Sequence, residues 1–470
     1  MSLTRPLPHA GQPRTTRDTP GAAGGAAGAA QCAARLEALL GDPRDPRNPY
    51  GRQTLWATGR ADLPAPPAGL PGVVDVPAAD RLARALRPLF RRDLALAHAW
   101  SISPLLSTPV PHPAAALLGP AALLAVAGGV LRSTTRIVDG LGRHEPAARQ
   151  WQPVLASVFA DLLACESLTA VALRSCPGLD TAGPTTPERE AERPLAAVVG
   201  YLVPELVGEL LGDLELVLTE CGFNGDTLER RTLARILRDR GFARTDRTAA
   251  SAARTRIVRG LDAAGGSWPD DGPERAALFR ITEAAPAGAS GTGGLRFVAA
   301  TLADAAGRPV DEGGTGALAR VARRLLVEQR ALRAACAATA VHDPADPAAR
   351  ALADRQAWLT LAAAALGVRE AVAEGPQTTA GGRESAAGES GRLPRRSCGE
   401  SAVRKTVAGE PTAFLGGTDW ALLALGRIIA RLGLPVPDRS PDPQPGVWEE
   451  LTRRAANGVD CDLYATRLPW

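Results

Sequence analysis

The sequence predicts an all-α protein. Its strong apolar periods lie near 3.6 residues, and no stretch alternates polar and apolar residues over the length of a strand. Ala, Gly and Leu dominate while aromatic residues make up only 4%, a composition suited to helix-on-helix packing. At 470 residues there is chain enough for two or more helical layers around substantial cores.

Taken in order, residues 1–30 carry Pro, Gly, Thr and Arg without a period and are expected to form a disordered leader. A helix is expected over Ala33–Leu40, after which Pro43, Pro46 and Pro49 force a turn. Leu82, Leu86, Leu89 and Phe90 share one face of a helix expected over Ala79–Trp100, with Pro88 as its kink. Residues 114–131 contain no charge and meet the length of a membrane span. Their Ala and Gly content, with Gly119-Pro120 as a break, favours a tightly packed core helix instead.

Further on, Pro153 marks a helix start, followed by Leu155, Val158, Phe159 and Leu162 at helical spacing. Leu195–Glu220 reads as one long helix or two joined at Val203-Pro204, burying Leu206, Leu210, Leu214 and Val217. Helices are also expected over Thr227–Asp239, Gly316–Thr339 and Pro347–Ala373, with a last one over Asp419–Leu432 capped by Thr418 or Asp419. The expected organisation is an N-terminal helical domain at 31–113, a helical bundle at 114–263, irregular chain at 264–314, and a helical extension at 315–374 and 411–470. Residues 375–410, rich in Gly, Ser and Arg, interrupt that extension as a disordered linker.

The 54 basic and 50 acidic residues give a net charge of +4 spread along the chain, which argues against a nucleic-acid partner. Lys405 is the only lysine, a bias that fits a GC-rich genome. Seven cysteines, widely separated and without a C-x-x-C pair, read as reduced and mostly buried thiols. With no apolar run at the N-terminus, the expected location is the cytoplasm, with no membrane contact.

Motifs that would name a chemistry fail their context. Gly288, Gly291, Gly293 and Gly294 resemble a phosphate loop, but no strand leads in and no Gly-Lys follows, so a flexible loop is expected. Asp270-Asp271 lies between Pro269 and Gly272-Pro273, a solvated turn rather than a helix face able to hold a cation. His9, His98, His112, His144 and His342 never fall at ligand spacing, so no metal is expected. His144 beside Glu145 is either an acid/base pair or part of a polar loop.

Three stretches together resemble the acyl-CoA dehydrogenase family, more narrowly the dehydrogenase-like proteins of actinobacterial specialised metabolism. The first comprises Leu36–Pro46 and Leu86–Asp93; the second is Ala156–Glu166; the third runs from Tyr201–Glu205 through Cys221–Gly225 to Leu237–Asp239. The resemblance covers most of residues 33–260 and, more weakly, 315–373. It implies a helical bundle resembling the N- and C-terminal helical domains of those enzymes. The central β-domain has no room, since Trp100 passes through 101–113 straight into the next helix.

Departures from the family bear on flavin. Its Arg-x-x-Phe-Gly motif for the flavin phosphates aligns with Val138–Gly142, where only Gly142 matches and Val138 replaces the cation beside Asp139. Gly222 and Gly225 match the family's glycine turn near the adenine, although any helix-to-helix connection asks for such a turn. Where the family carries its catalytic glutamate, Arg244–Thr248 offers Asp246 alone. No cofactor is therefore expected, FAD entering only if held in an altered mode.

The resemblance with these losses implies a flavin-independent protein of polyketide or other specialised-metabolite biosynthesis. It would turn an acyl or polyketide-like small molecule toward cyclisation, isomerisation or elimination. Two alternatives stand beside it: a non-catalytic partner in a hetero-oligomer with a full-length dehydrogenase, and an oxidoreductase that still holds FAD. Homo-oligomers fit either. Candidate catalytic residues are His144, Glu166, Glu205 and Asp246; an enzyme pocket would draw its polar groups from Arg149, Trp151, Glu166, Glu205, Glu209 and Glu220.

Overall fold

The computed structural model describes residues 22–58, 62–66, 78–107, 114–142, 145–176, 194–222, 227–243, 247–261, 272–282, 295, 297–309, 313–339, 343–375, 411–437 and 441–470. Among them no strand forms, and Val459 and Arg467 make one isolated antiparallel bridge. The protein is all-α. Its first half contains α1 (Ala22–Leu40), α2 (Arg52–Ala57), α3 (Ala79–Arg92), α4 (Leu94–Ala97), α5 (Ser103–Leu106), α6 (Ala115–Gly140), α7 (Pro146–Arg174) and α8 (Pro194–Glu220). Then follow α9 (Leu228–Asp239), α10 (Arg247–Gly260), α11 (Gly272–Phe279), α12 (Phe297–Gly307), α13 (Gly314–Thr339), α14 (Pro347–Glu374), α15 (Pro411–Gly416), α16 (Asp419–Arg431) and α17 (Gln444–Ala456).

The axis of the fold is α7. Every residue from Leu155 to Arg174 is buried, because α3, α6, α8, α14, α16 and α17 pack around it. A helix apolar on all sides has to be surrounded in this way. Three charged side chains nevertheless interrupt its buried length, and each has a counterion. Asp161 accepts from Arg427 at 2.8 Å, Glu166 meets Arg87 at 2.7 Å, and Arg174 meets Asp80 at 3.2 Å while also donating to the carbonyls of Leu278 and Ala277. Single buried charges would cost several kcal/mol, so these pairs fix the rotation of α7 against its neighbours.

By length and composition α6, α7 and α8 could each cross a membrane, yet 83%, 89% and 61% of their most apolar windows are buried inside the fold. One apolar cluster runs from Leu36 to Leu463 and includes all three.

Several boundaries differ from the sequence reading. Residues 22–30, expected in a disordered leader, belong to α1, whose paired alanines at 22–23, 26–27 and 29–30 favour helix. The break after α3 falls at Asp93, not Pro88: Asp93 is extended (φ −168°) and caps α4 by accepting from the Leu96 amide at 2.9 Å. Pro153 lies inside α7, which starts at Pro146, and Pro204 lies within an unbroken α8. Inside the stretch expected to be irregular, α11 and α12 form, with Phe279 and Phe297 buried edge to face. Beyond the expected last helix comes α17, and Thr418 precedes α16 without making a side-chain cap bond. The glycine loop at 288–294, Asp270-Asp271 and the linker at 376–410 lie outside the described residues.

Gly119-Pro120 does not break α6, and the glycine has another purpose. A Cβ at Gly119 would stand 2.4 Å from the carbonyl oxygen of Ala243, in the short helical turn Arg240–Ala243 that crosses α6. The obstacle is backbone and cannot swing aside. We expect Gly119→Ala to destabilise the protein by about 1–3 kcal/mol, as overpacking does, against the sign of helix propensity. Urea unfolding would measure it; a neutral or stabilised variant would contradict this crossing.

Candidate functional site

The largest cavity described is a groove of about 550 Å³ between α1, α3 and the C-terminal segment 466–470. Its α1 wall is the stripe Ala30, Ala33, Ala34 and Ala38, three and four residues apart, which keeps one face of the helix free of bulk. From α3 come Arg84, Arg87, Pro88 and Arg91, again at helical spacing. Leu468, Pro469 and Trp470 close the far side, with Arg467 at the rim and Glu37 as the one carboxylate in the lining.

The C-terminal segment is held over the groove by a local hairpin-like turn. Gly458 (φ +62°) and Ala465 (φ +43°) are in the left-handed region. The Asp460 amide donates to the Thr466 carbonyl at 2.8 Å and the Leu468 amide to the Gly458 carbonyl at 2.8 Å. Asp462 accepts from both the amide and hydroxyl of Thr466, at 3.0 and 2.8 Å. At the far end the Trp470 indole donates to Glu37 Oε1 at 3.1 Å.

Behind the groove runs a continuous ionic chain. Glu166 on α7 meets Arg87 at 2.7 Å; Arg87 reaches Asp460 at 3.1 Å and Asp462 at 3.2 Å; Asp460 meets Arg91 at 2.8 Å; Arg91 meets Glu37 at 2.6 Å. Burial opposes the charge on Arg87, but the carboxylates of Glu166, Asp460 and Asp462 outweigh it and hold the guanidinium firmly protonated. Burial likewise opposes ionisation of Asp460, yet Arg87, Arg91 and Arg132 keep its carboxyl well below the usual carboxylate range. Glu166 loses that contest: burial pushes it up to about 7, Arg87 pulling it down and Asp462 adding to the rise. Below the turn, Arg454 donates to the carbonyls of Asp460 and Asp462 and lies over the Phe159 and Phe414 rings.

The residues singled out from sequence scatter. Glu166 sits behind Arg87, outside the groove. Glu205 lines a separate polar cleft of about 350 Å³ with Tyr201, Ser251, Arg254 and Arg350. Burial, then Glu209 and Asp354, push its carboxyl upward. Glu209 pairs with Arg431 at 2.7 Å; Arg149 and Glu220 are exposed, and Trp151 is core. The structure does not gather these six into one pocket. His144, Asp246 and Gly225 lie outside the described residues.

Sequence reasoning passed over Arg84, Arg87, Arg91, Glu37, Asp460, Asp462 and Trp470. The available signal was the arginine spacing: 84, 87 and 91 recur three and four apart on a helix whose other face is apolar. The six described cysteines are free, Cys165 and Cys461 buried and the others only partly so. Among the described residues no three His, Cys, Asp or Glu side chains gather as metal ligands would.

The positions aligned with the family's flavin contacts do not fit a diphosphate. Val138 is wholly buried against the core, and Asp139 is exposed beside it. Gly142 (φ +86°) and Gly222 (φ +85°) end α6 and α8, their amides donating back to Asp139 and Thr219 at 3.2 Å. Both glycines therefore serve the helix ends.

In class, fold and cavity define an all-α protein with an arginine-lined apolar groove. Compared with known proteins, the chain matches no family model, no curated protein and no solved structure.

Proposed function

We propose that the chain is an acyl-CoA dehydrogenase-like protein of specialised metabolism that works without flavin on an acyl or polyketide-like substrate. The observation that carries this reading is the groove: an alanine stripe for a carbon chain and a row of guanidinium groups for carbonyl oxygens or a carboxylate. Its volume of about 550 Å³ lies within the range of small-molecule sites, about 300–1,000 Å³.

The chemistry follows from what lines it. Glu37 gives one oxygen to Arg91 and the other to Trp470, and each carboxylate oxygen has a further lone pair to accept with. It takes the proton α to a substrate carbonyl, and the arginines stabilise the enolate oxygen that results. Returning the proton to another carbon isomerises the substrate; expelling a β-substituent eliminates it; attack of the enolate carbon on a second carbonyl cyclises it. None of these steps needs a hydride acceptor.

Mass spectrometry of small molecules carried through purification tests the groove. An acyl or polyketide-like compound should accompany the wild-type chain and be lost from Ala34→Trp, whose indole fills the α1 wall. Exchange of substrate α-protons with deuterated water should fall about 10²–10⁴-fold in Glu37→Gln, the usual worth of a general base. These preparations should be colourless. Stoichiometric flavin absorbance, or a fully active Glu37→Gln, would defeat the proposal.

A further inference from the structure

A second cavity, of about 40 Å³, lies between α2, α6, α9 and the α3–α4 junction. A water needs about 10–15 Å³ on such a measure, so this is room for a few waters or one tetrahedral oxyanion. Arg52, Arg92, Ser133, Thr134 and Arg235 stand in its wall, and a Cβ at Gly129 would meet nothing within 4 Å. Arg132 and Arg136 flank this face of α6, one turn from Gly129 and Ser133.

Arg52 and Arg132 form no ion pair among the described residues, although Glu229 and Asp460 act on them through their fields. No hydrogen bond or ion pair of the Arg52 guanidinium is found among the described residues, and the buried Nη1 of Arg132 has no partner. Arg136 donates to the Ala455 carbonyl; Arg92 donates to the carbonyls of Tyr50 and Gly41 and has Glu37 at 4.0 Å. Of the acids in the wall, Asp93 and Asp239 are already paired with Arg235 at α9, leaving Glu229 near Arg52. Thr134 is fully buried and lines the cavity, yet its hydroxyl bonds nothing. Buried polar groups are almost always satisfied, and unsatisfied ones around a cavity mark a missing partner.

We propose that this cavity is a binding site for a phosphate-class oxyanion, held by Arg52 and Arg132 with the Thr134 hydroxyl. A tetrahedral dianion supplies acceptors to the orphaned donors and a counterion in contact with Arg52 and Arg132. Burial, then Arg132 and Arg44, push Arg52 down to about 10 against the pull of Glu229, and burial lowers Arg132 as well, with Asp460 opposing and Arg136 and Arg91 adding to the fall. Arg91 lines both cavities, but the two are tested separately, this one by anion binding and the groove by acyl compounds.

The test is thermal unfolding and calorimetric titration of the full chain with sodium phosphate, against sodium chloride at matched ionic strength. Phosphate should raise Tm saturably with Kd below about 1 mM, and chloride should not. Arg52→Met and Arg132→Met should each weaken phosphate at least about ten-fold, and Arg52→Met should leave the ligand-free Tm unchanged or higher, since repulsion is relieved. Thr134→Val should weaken it a few-fold with no loss of ligand-free stability. Glycerol phosphate distinguishes the source: equal affinity assigns a free anion, about ten-fold tighter binding the phosphate end of a larger molecule. A phosphate response equal to that of chloride, or one retained in both arginine variants, overturns the proposal.

Discussion

Replacing Arg87 with Met should destabilise the protein by about 3–5 kcal/mol, the range for breaking a buried ion pair from one side. Among the described residues Arg87 alone pairs with Glu166, Asp460 and Asp462 together, and all four are buried. Met keeps most of the aliphatic stem, so lost packing contributes little. What remains is three carboxyl groups gathered around a neutral side chain. Arg91 still holds Asp460, and Thr466 still holds Asp462, so the strain falls mainly on Glu166 and on docking of residues 459–470. Arg87→Lys should recover only part of the loss, because one ammonium cannot present the planar fork that spans Glu166 and Asp460. Urea unfolding at neutral pH gives the size, and protease cleavage within 459–470 gives the location. A loss under about 1 kcal/mol would mean that the carboxyl groups are not held by Arg87.

Much of the fold was legible in the sequence because the long apolar helices announce themselves locally. The period through Leu206, Leu210, Leu214 and Val217 is enough to place α8, and those residues are buried as expected. Local signals also misled, where tertiary contacts decide. Gly119-Pro120 has the composition of a break, but the glycine answers to the backbone of Ala243, more than a hundred residues away in sequence. Asp93 looks like an ordinary helical acid until Arg235 and the Leu96 amide are seen to converge on it.

The groove was hidden for the same reason. It joins α1, α3 and the C-terminal segment, so its ionic chain links Glu37 to Asp460 across almost the whole chain, and no spacing rule reaches that far. Glu166 could be picked out as an acid on an apolar helix. Its neighbours could not, and they place it behind Arg87 rather than in a pocket.

Glu166→Gln should grow more stable relative to the wild type as pH rises from 5 to 8. Burial holds the Glu166 carboxyl up at about 7 against an ordinary 4.5. A carboxyl raised by folding contributes stability that is fully present below the unfolded value and is lost as pH rises through the folded one. The difference between about 7 and 4.5 corresponds to about 3 kcal/mol of stability. Asp460 works in the opposite sense, but its depressed carboxyl titrates below pH 5 and adds nothing here. Gln copies the protonated acid and keeps an oxygen for Arg87, so it holds the wild type's low-pH interactions at every pH. The quantity to follow is the difference in unfolding free energy between variant and wild type at pH 5, 6, 7 and 8, in which histidines common to both cancel. A rise of about 2–3 kcal/mol is expected, most of it below pH 7. A flat difference, or one that falls with pH, would show that Glu166 is ionised throughout, with the Arg87 charge prevailing over burial.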